Sequence, residues 1–435
     1  MTPQKLLGIF CLALASTDLL AASDPAPTER AALPTGGLIQ VGKTRAIRTI
    51  GEAAAKAKSG DTVEIDAGDY FADTAVWGQE KLTIRSVNGR ARFIAGGASA
   101  EGKAIFVIRG VDVTVENIDF VGAKVADGNG AGIRFERGHL MVRNCVFSDN
   151  ENGILTAVGP MSLEVENSEF ANNGTTNGRG HSIYVGNIEK LRITGSYIHH
   201  AAGGHLLKSR AAENHVLANR LTDEIGGHAS YELEFPNGGL NYVIGNIIEQ
   251  GSDTQNATIV SVGAEGYNWP RNELYLVNNT IADDRPSNGI FLNVRNGIQK
   301  VKAVNNLLIG SGYANTGTTM PLSEGSKPGW GGFMNVAKNL AMYANDIRKG
   351  TEPPPAPTAN GEFSNNQNAD WDQFALAARY DYRLKPTSRL IGKVSEAGAA
   401  NGVDLTQRLQ YAHPHGTTPL TAKPRMPGAL QSLGN

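Results

Sequence analysis

Within the 54 residues from His181 to Glu234 lie Tyr184, Lys208, Arg210, Glu232 and Glu234 and six of the chain's nine histidines, of which His181, His199, His200, His205 and His228 fall in the turns around the strands that carry these residues. Elimination next to a carboxylate needs three groups: a cation on the carboxylate, a base for the adjacent proton and an acid for the departing oxygen. Lys208 and Arg210 can fill the first two roles, with either one holding the carboxylate, and Tyr184 or His205 can fill the third. Glu232 and Glu234 offer a different chemistry. Two residues apart on one face of a strand, their carboxyls would stand near the ~6.5–9.5 Å separation of an inverting acid–base pair. Hard-oxygen candidates for Ca²⁺ are Asp223 and Glu224, beside Glu232 and Glu234. His199, His200 and His228 are the corresponding candidates for Zn²⁺.

These residues need a scaffold, and an internal repeat supplies one. Val115-Glu-Asn-Ile-Asp-Phe120 recurs as Val142-Arg-Asn-Cys-Val-Phe147, Val165-Glu-Asn-Ser-Glu-Phe170 and Ile193-Thr-Gly-Ser-Tyr-Ile198, and it continues to Ala303-Val-Asn-Asn-Leu-Leu308. Its fourth position reads Ile118, Cys145, Ser168, Ser196, Asn219, Asn246, Asn279, Asn306, at spacings of 27, 23, 28, 23, 27, 33 and 27 residues. A period in the twenties with strand-like alternation fits one coil of a parallel β-helix, whose equivalent residues stack at ~4.8 Å. The Asn column would then hydrogen-bond along the axis.

A second strand set repeats in step, from Gly132-Ile-Arg-Phe-Glu136 to Gly289-Ile-Phe-Leu-Asn293. Alternation predicts Ile133, Ile154, Ile183, Leu207, Leu233, Ile259 and Ile290 inward, and Arg134, Leu155, Tyr184, Lys208, Glu234, Val260 and Phe291 outward. Tyr184, Lys208 and Glu234 become neighbours on three successive coils. Arg210 and Glu232 lie about 7 Å along their strands. Gly203-Gly204 and Gly226-Gly227 keep the adjoining turns low enough for a long chain molecule to approach.

The 435 residues include 52 Gly and 19 Pro, with 40 Lys+Arg against 42 Asp+Glu. There is no G-X-Y period, and 40% of residues are hydrophobic, which describes a folded, turn-rich chain. The near-neutral balance argues against nucleic acid as a partner while leaving room for a local basic groove. Lys5 followed by the apolar run Leu6 to Ala15 reads as a secretory signal peptide over residues 1–22, which implies a secreted or periplasmic protein. No later segment is long and apolar enough to span a bilayer. Of the two cysteines, Cys11 would leave with the signal, so Cys145 has no intramolecular partner. The expected order is a tail over 23–45, the β-helix over 46–395 and an irregular tail over 396–435, in a monomer.

Thr49-Ile-Gly-Glu-Ala-Ala-Ala-Lys-Ala reads as a helix, and Ser59-Gly-Asp-Thr follows it. This resembles the opening of secreted right-handed parallel β-helix proteins, in which a helix caps the first coil. Together with the coils and Asp381-Tyr-Arg-Leu-Lys-Pro, the chain resembles β-helical polysaccharide lyases of the chondroitinase-B and alginate-lyase type over about residues 46–395. The resemblance implies an all-β, single-stranded right-handed parallel β-helix with an N-terminal capping helix. It also implies β-elimination on an acidic, uronate-containing polysaccharide, with a catalytic match limited to Lys208 and Arg210 on one strand; the register of the coils adds Tyr184, His205 and Glu234 as catalytic candidates. Substrate contacts are then expected from Arg134, His181, His200, His228 and Glu232, with Tyr267 and Trp269 as a stacking wall for sugar rings. A C5-epimerase, an inverting hydrolase and a non-catalytic carbohydrate-binding protein are the alternatives on the same scaffold.

Overall fold

Each repeat unit turns a corner at its third and fourth residues, and this corner organises the computed structural model, which describes residues 36–286, 289–318, 321–323 and 360–434. The expected signal peptide, most of the expected N-terminal tail and the Pro-rich stretch 351–357 lie outside the described residues. At the third position the backbone enters the left-handed region: φ is 62° at Asn117, 50° at Asn144, 47° at Asn167, 51° at Asn278 and 59° at Asn305, with Gly195 and Gly245 taking the same turn. Asn and Gly enter this region at the least steric cost.

The fourth position is the buried ladder. The Asn246 amide donates from Nδ2 to Asn279 Oδ1 at 3.0 Å and to the Val216 carbonyl at 2.7 Å, while its Oδ1 accepts from the Asn219 amide and backbone N–H. Asn279 repeats this to Asn306, and Asn306 to Asn366, one rung beyond the repeat visible in the sequence. Ser196 and Ser168 carry the ladder back to the Cys145 backbone N–H. At the sixth position Phe120, Phe147 and Phe170 stack face to face, with ring centroids 5.0 and 4.7 Å apart. Buried amides are thus satisfied and apolar rings packed by the same periodicity.

Strands on either side of the corner join a 21-stranded sheet, and the remaining strands form a ten-stranded parallel sheet from Ala75–Trp77 to Tyr313–Asn315. The molecule is an all-β right-handed parallel solenoid of about ten coils. Coil stacking starts at Leu38–Val41, which pairs in parallel with Thr62–Phe71, so it begins inside the stretch expected to be tail. The helix Ile50–Lys56 is capped by the Thr49 side chain, and it buries Ile50, Ala53 and Ala54 over the first coil. Gly361–Ser364 and Gln367–Ala369 add the last strands described on the larger sheet. The segment after them runs along the outside of the coils. Phe374, Tyr382, Tyr411 and Met426 pack on Tyr197, Ile247 and Leu307, and Leu405 and Ala397 pack on Tyr242 and Tyr275. No helix among the described residues is long and apolar enough to cross a membrane.

Candidate functional site

The site is built on the ten-stranded sheet, where register decides which side chains share a row. Leu155 pairs with Tyr184, Tyr184 with Lys208, and Lys208 with Glu234, as the repeat predicts. Beyond Glu234 the observed row differs from the expected one. Glu234 pairs with Ser261 and Ser261 with Asn293, so Val260 and Leu292 face the core, and Phe291 is buried as well. Ile259-Val260 and Phe291-Leu292 are apolar doublets, in which alternation gives no preferred phase.

Glu232 also departs from expectation. Within the strand Tyr231–Phe235 it stands in register with Leu206 and Ile259, both core residues. Its carboxyl is buried with neither oxygen hydrogen-bonded. Burial pushes its pKa well above the usual carboxyl range, reinforced by Asp223, Glu249 and Asp283. Glu232 therefore cannot touch a substrate, and the pair it would form with Glu234 does not exist.

On the outer face the groups expected to carry chemistry converge. Arg210 donates from Nε to the Tyr184 hydroxyl at 3.1 Å and from Nη1 to Asn237 Oδ1. It forks onto Glu265, Nη1 to Oε2 at 2.7 Å and Nη2 to Oε1 at 2.9 Å. Lys208 Nζ lies 3.1 Å from the same Glu265 Oε1 and 3.3 Å from Glu234 Oε2. Both cations stand over the Tyr184 ring, 5.9 and 5.8 Å from its centroid. The Arg210 guanidinium, then Lys208, hold the Glu265 carboxyl down at about 2, so it is ionised throughout the working range. Burial alone would raise Glu234, but its bonds to His205 and Lys208 hold it below the usual range.

The His205 ring nitrogen Nε2 meets Glu234 Oε2 at 2.8 Å, and His181 Nδ1 accepts the His205 backbone N–H at 3.0 Å. Both rings are nearly enclosed, at 7% and 5% exposure, and burial lowers the pKa of each, so they are neutral at pH 7. They form the wall behind the row. His199 stacks on Tyr197 at 3.8 Å, on the face where Tyr197 meets His413 of the C-terminal segment, and His200 packs against His199. His228 is exposed, with Nδ1 3.4 Å from the Asp253 carbonyl. Of the three zinc candidates, His199 and His200 thus partner each other, Nδ1 to Nδ1 at 2.6 Å, while His228 meets the Asp253 carbonyl instead.

The calcium candidates are committed to protein donors. Asp223 accepts the backbone N–H groups of Ala201 and Ala229 at 3.0 and 2.7 Å, and burial pushes it up to about 6. Glu224 Oε1 accepts from Tyr197, Thr222 and Arg220. Among the described residues no group of three or more His, Cys, Asp or Glu is arranged to hold a metal ion.

Beside the Tyr184–Arg210 pair opens a cleft of about 630 Å³. Its charged lining is Arg134, Arg179, Arg210 and Glu265, three cations to one anion, and Asn129, Asn152, Asn187, Asn237 and Asn268 line it as well. Such a lining suits an anionic ligand rich in hydroxyls. Arg134 takes its expected place, with Nε 3.7 Å from Glu136. Tyr267 and Trp269 are tie-points of their loop: the Tyr267 hydroxyl donates to the Arg295 carbonyl and Trp269 Nε1 to the Arg210 carbonyl. Sequence reasoning missed Glu265, Arg179 and the Asn residues. Arg179 carried a signal between Gly178 and Gly180, whereas Glu265 lies 55 residues from Arg210 with no repeat to place it.

Fold and site together define a β-solenoid with a cationic cleft on one outer sheet. A family model described as a right-handed β-helix region matches residues 70–227. The crystal structure of pectate lyase Pel9A superposes with a TM-score of 0.51 over 92% of this chain and 97% of that chain, at 13% sequence identity, a likeness of fold. No curated protein matches the sequence.

Proposed function

We propose that this protein is a polysaccharide lyase that cleaves a uronate-containing chain by β-elimination in the cleft beside Tyr184, Lys208 and Arg210. The observation that carries the reading is the fork of Arg210 and Lys208 around one carboxylate, that of Glu265, directly beside an exposed-side phenol. In the proposed reaction the sugar carboxylate takes that position and Arg210 neutralises it. Lys208, a cation in its ion pairs with Glu234 and Glu265, first releases a proton to solvent and then accepts the C5 proton. The C5–H electrons form the C4=C5 bond, the C4–O4 bond breaks, and the Tyr184 hydroxyl protonates O4. Lys208 then returns its proton to the phenolate. Tyr184 is preferred over His205 for this role because it lines the cleft, whereas His205 is enclosed and bonded to Glu234.

A C5-epimerase would share the proton abstraction, and a binding protein would share the cleft. The hydrolase reading loses its second carboxylate with Glu232. A secreted or periplasmic setting belongs to the same proposal and rests on the sequence of residues 1–22. The test is incubation with a panel of acidic polysaccharides, following ultraviolet absorbance of the new double bond. Rising absorbance with shortening chains supports the lyase, and reducing ends without absorbance contradict it.

A further inference from the structure

Glu265 belongs to the segment between the strands Thr258–Val262 and Glu273–Val277. Gly263, at φ 77°, and Gly266, at φ 91°, flank it and allow the backbone to turn on either side. The rest of the segment is tied down: Trp269 to the Arg210 carbonyl, Tyr267 to the Arg295 carbonyl, and the Glu265 backbone N–H to the Pro236 carbonyl at 2.9 Å. The backbone is fixed while the Glu265 side chain is 45% exposed. Lys208 and Arg210, its partners, are only 12% and 18% exposed. The carboxylate therefore covers the two cations from the solvent side.

Its geometry is that of a bound ligand. Oε2 meets one guanidinium nitrogen, and Oε1 meets the other and the lysine amine. A planar, bidentate carboxylate matches the guanidinium fork. A purely structural pair would serve equally well deeper in the wall, where Glu234 already partners Lys208.

We infer that Glu265 is an internal stand-in for the substrate carboxylate, closing a single-carboxylate subsite on Lys208 and Arg210 until the carboxylate of a uronate residue displaces it. The inference rests on the lyase reading, since it names the same cations as the substrate subsite. Either ligand releases Glu265 to solvent, but an incoming carboxylate restores the ion pairs of Lys208 and Arg210, whereas a neutral sugar would leave both cations without that partner. The arrangement selects for uronates by penalising their neutral counterparts. It also weakens every uronate by the cost of opening, because only the open fraction binds.

The experiment titrates wild type, Glu265→Gln and Glu265→Ala with acetate, D-galacturonate and D-galactose at fixed ionic strength, reading thermal shift and calorimetric affinity. Both variants should bind acetate and galacturonate roughly three- to ten-fold more tightly than wild type, with a matching rise in Tm, and none should respond to galactose. Equal carboxylate affinity in all three proteins, or weaker affinity in both variants, would overturn the inference. The Gln variant keeps the side-chain size, so a folding defect confined to Ala leaves the comparison intact. If the variants gain carboxylate binding while no uronate polymer is bound or cleaved by any of the three, the lyase reading fails and the gated subsite stands.

Discussion

Arg210 and Tyr184 sit on adjacent coils, and the guanidinium Nε donates to the phenol oxygen at 3.1 Å. A hydroxyl that accepts from a fixed cation keeps its own hydrogen free for an outside acceptor, and the outside here is the cleft. The bond thus orients Tyr184 as the proton donor to a leaving oxygen.

Tyr184→Phe keeps the ring beneath Lys208 and Arg210 and removes only that hydrogen. Turnover on the active polymer should fall by about 10²–10⁴-fold, with KM changed much less. Unchanged kcat would remove Tyr184 from the mechanism.

Glu232 gives a pH prediction of definite sign. Its folded-state pKa lies above the unfolded one, so its contribution to stability is fully present below the ordinary carboxyl pKa and is lost as pH rises toward the folded value. Glu232→Gln should therefore match wild type at pH 4 and be more stable at pH 8, read as the difference in denaturant midpoint. Buried His181 and His205 act in the opposite sense, losing stability as pH falls through the unfolded histidine range, but they do so equally in both proteins. A variant less stable at pH 8 would show that the charged carboxylate has a partner.

How far the sequence disclosed this arrangement depends on whether a residue belongs to the repeat. The Asn column and the Tyr184–Lys208–Glu234 row were legible because each recurs at coil spacing with alternating apolar partners, and the capping helix because Thr49 precedes an Ala-rich run. Glu232 was misread because alternation from Glu234 puts it outward, whereas Tyr231–Phe235 buries four consecutive residues and Glu232 shares the register of the core residue Leu206. Val260 and Phe291 were misplaced because apolar doublets fit either phase. Glu265 was invisible, since its position comes from a loop outside the repeat. The C-terminal packing on Tyr197 and Tyr242 likewise lacks periodicity.

The ladder itself can be tested at its middle. Asn246→Ala removes the acceptor of the Asn219 N–H groups and the donor to Val216, leaving buried polar groups unpaired. The loss should be about 2–4 kcal/mol by denaturant unfolding. Asn246→Ser, the residue type used at Ser168 and Ser196, should cost less. Equal losses would mean that the side-chain ladder contributes little beyond volume.

The central claim is that Lys208 and Arg210 eliminate across a uronate. The most direct measurement is the rate of C4=C5 absorbance on the uronate polymer that wild type cleaves, for wild type, Lys208→Ala and Arg210→Ala, with folding checked by circular dichroism. Both folded variants are predicted to lose at least about 10³-fold in rate. Near-normal absorbance rates in both, or chain shortening by wild type without any absorbance, would contradict the account.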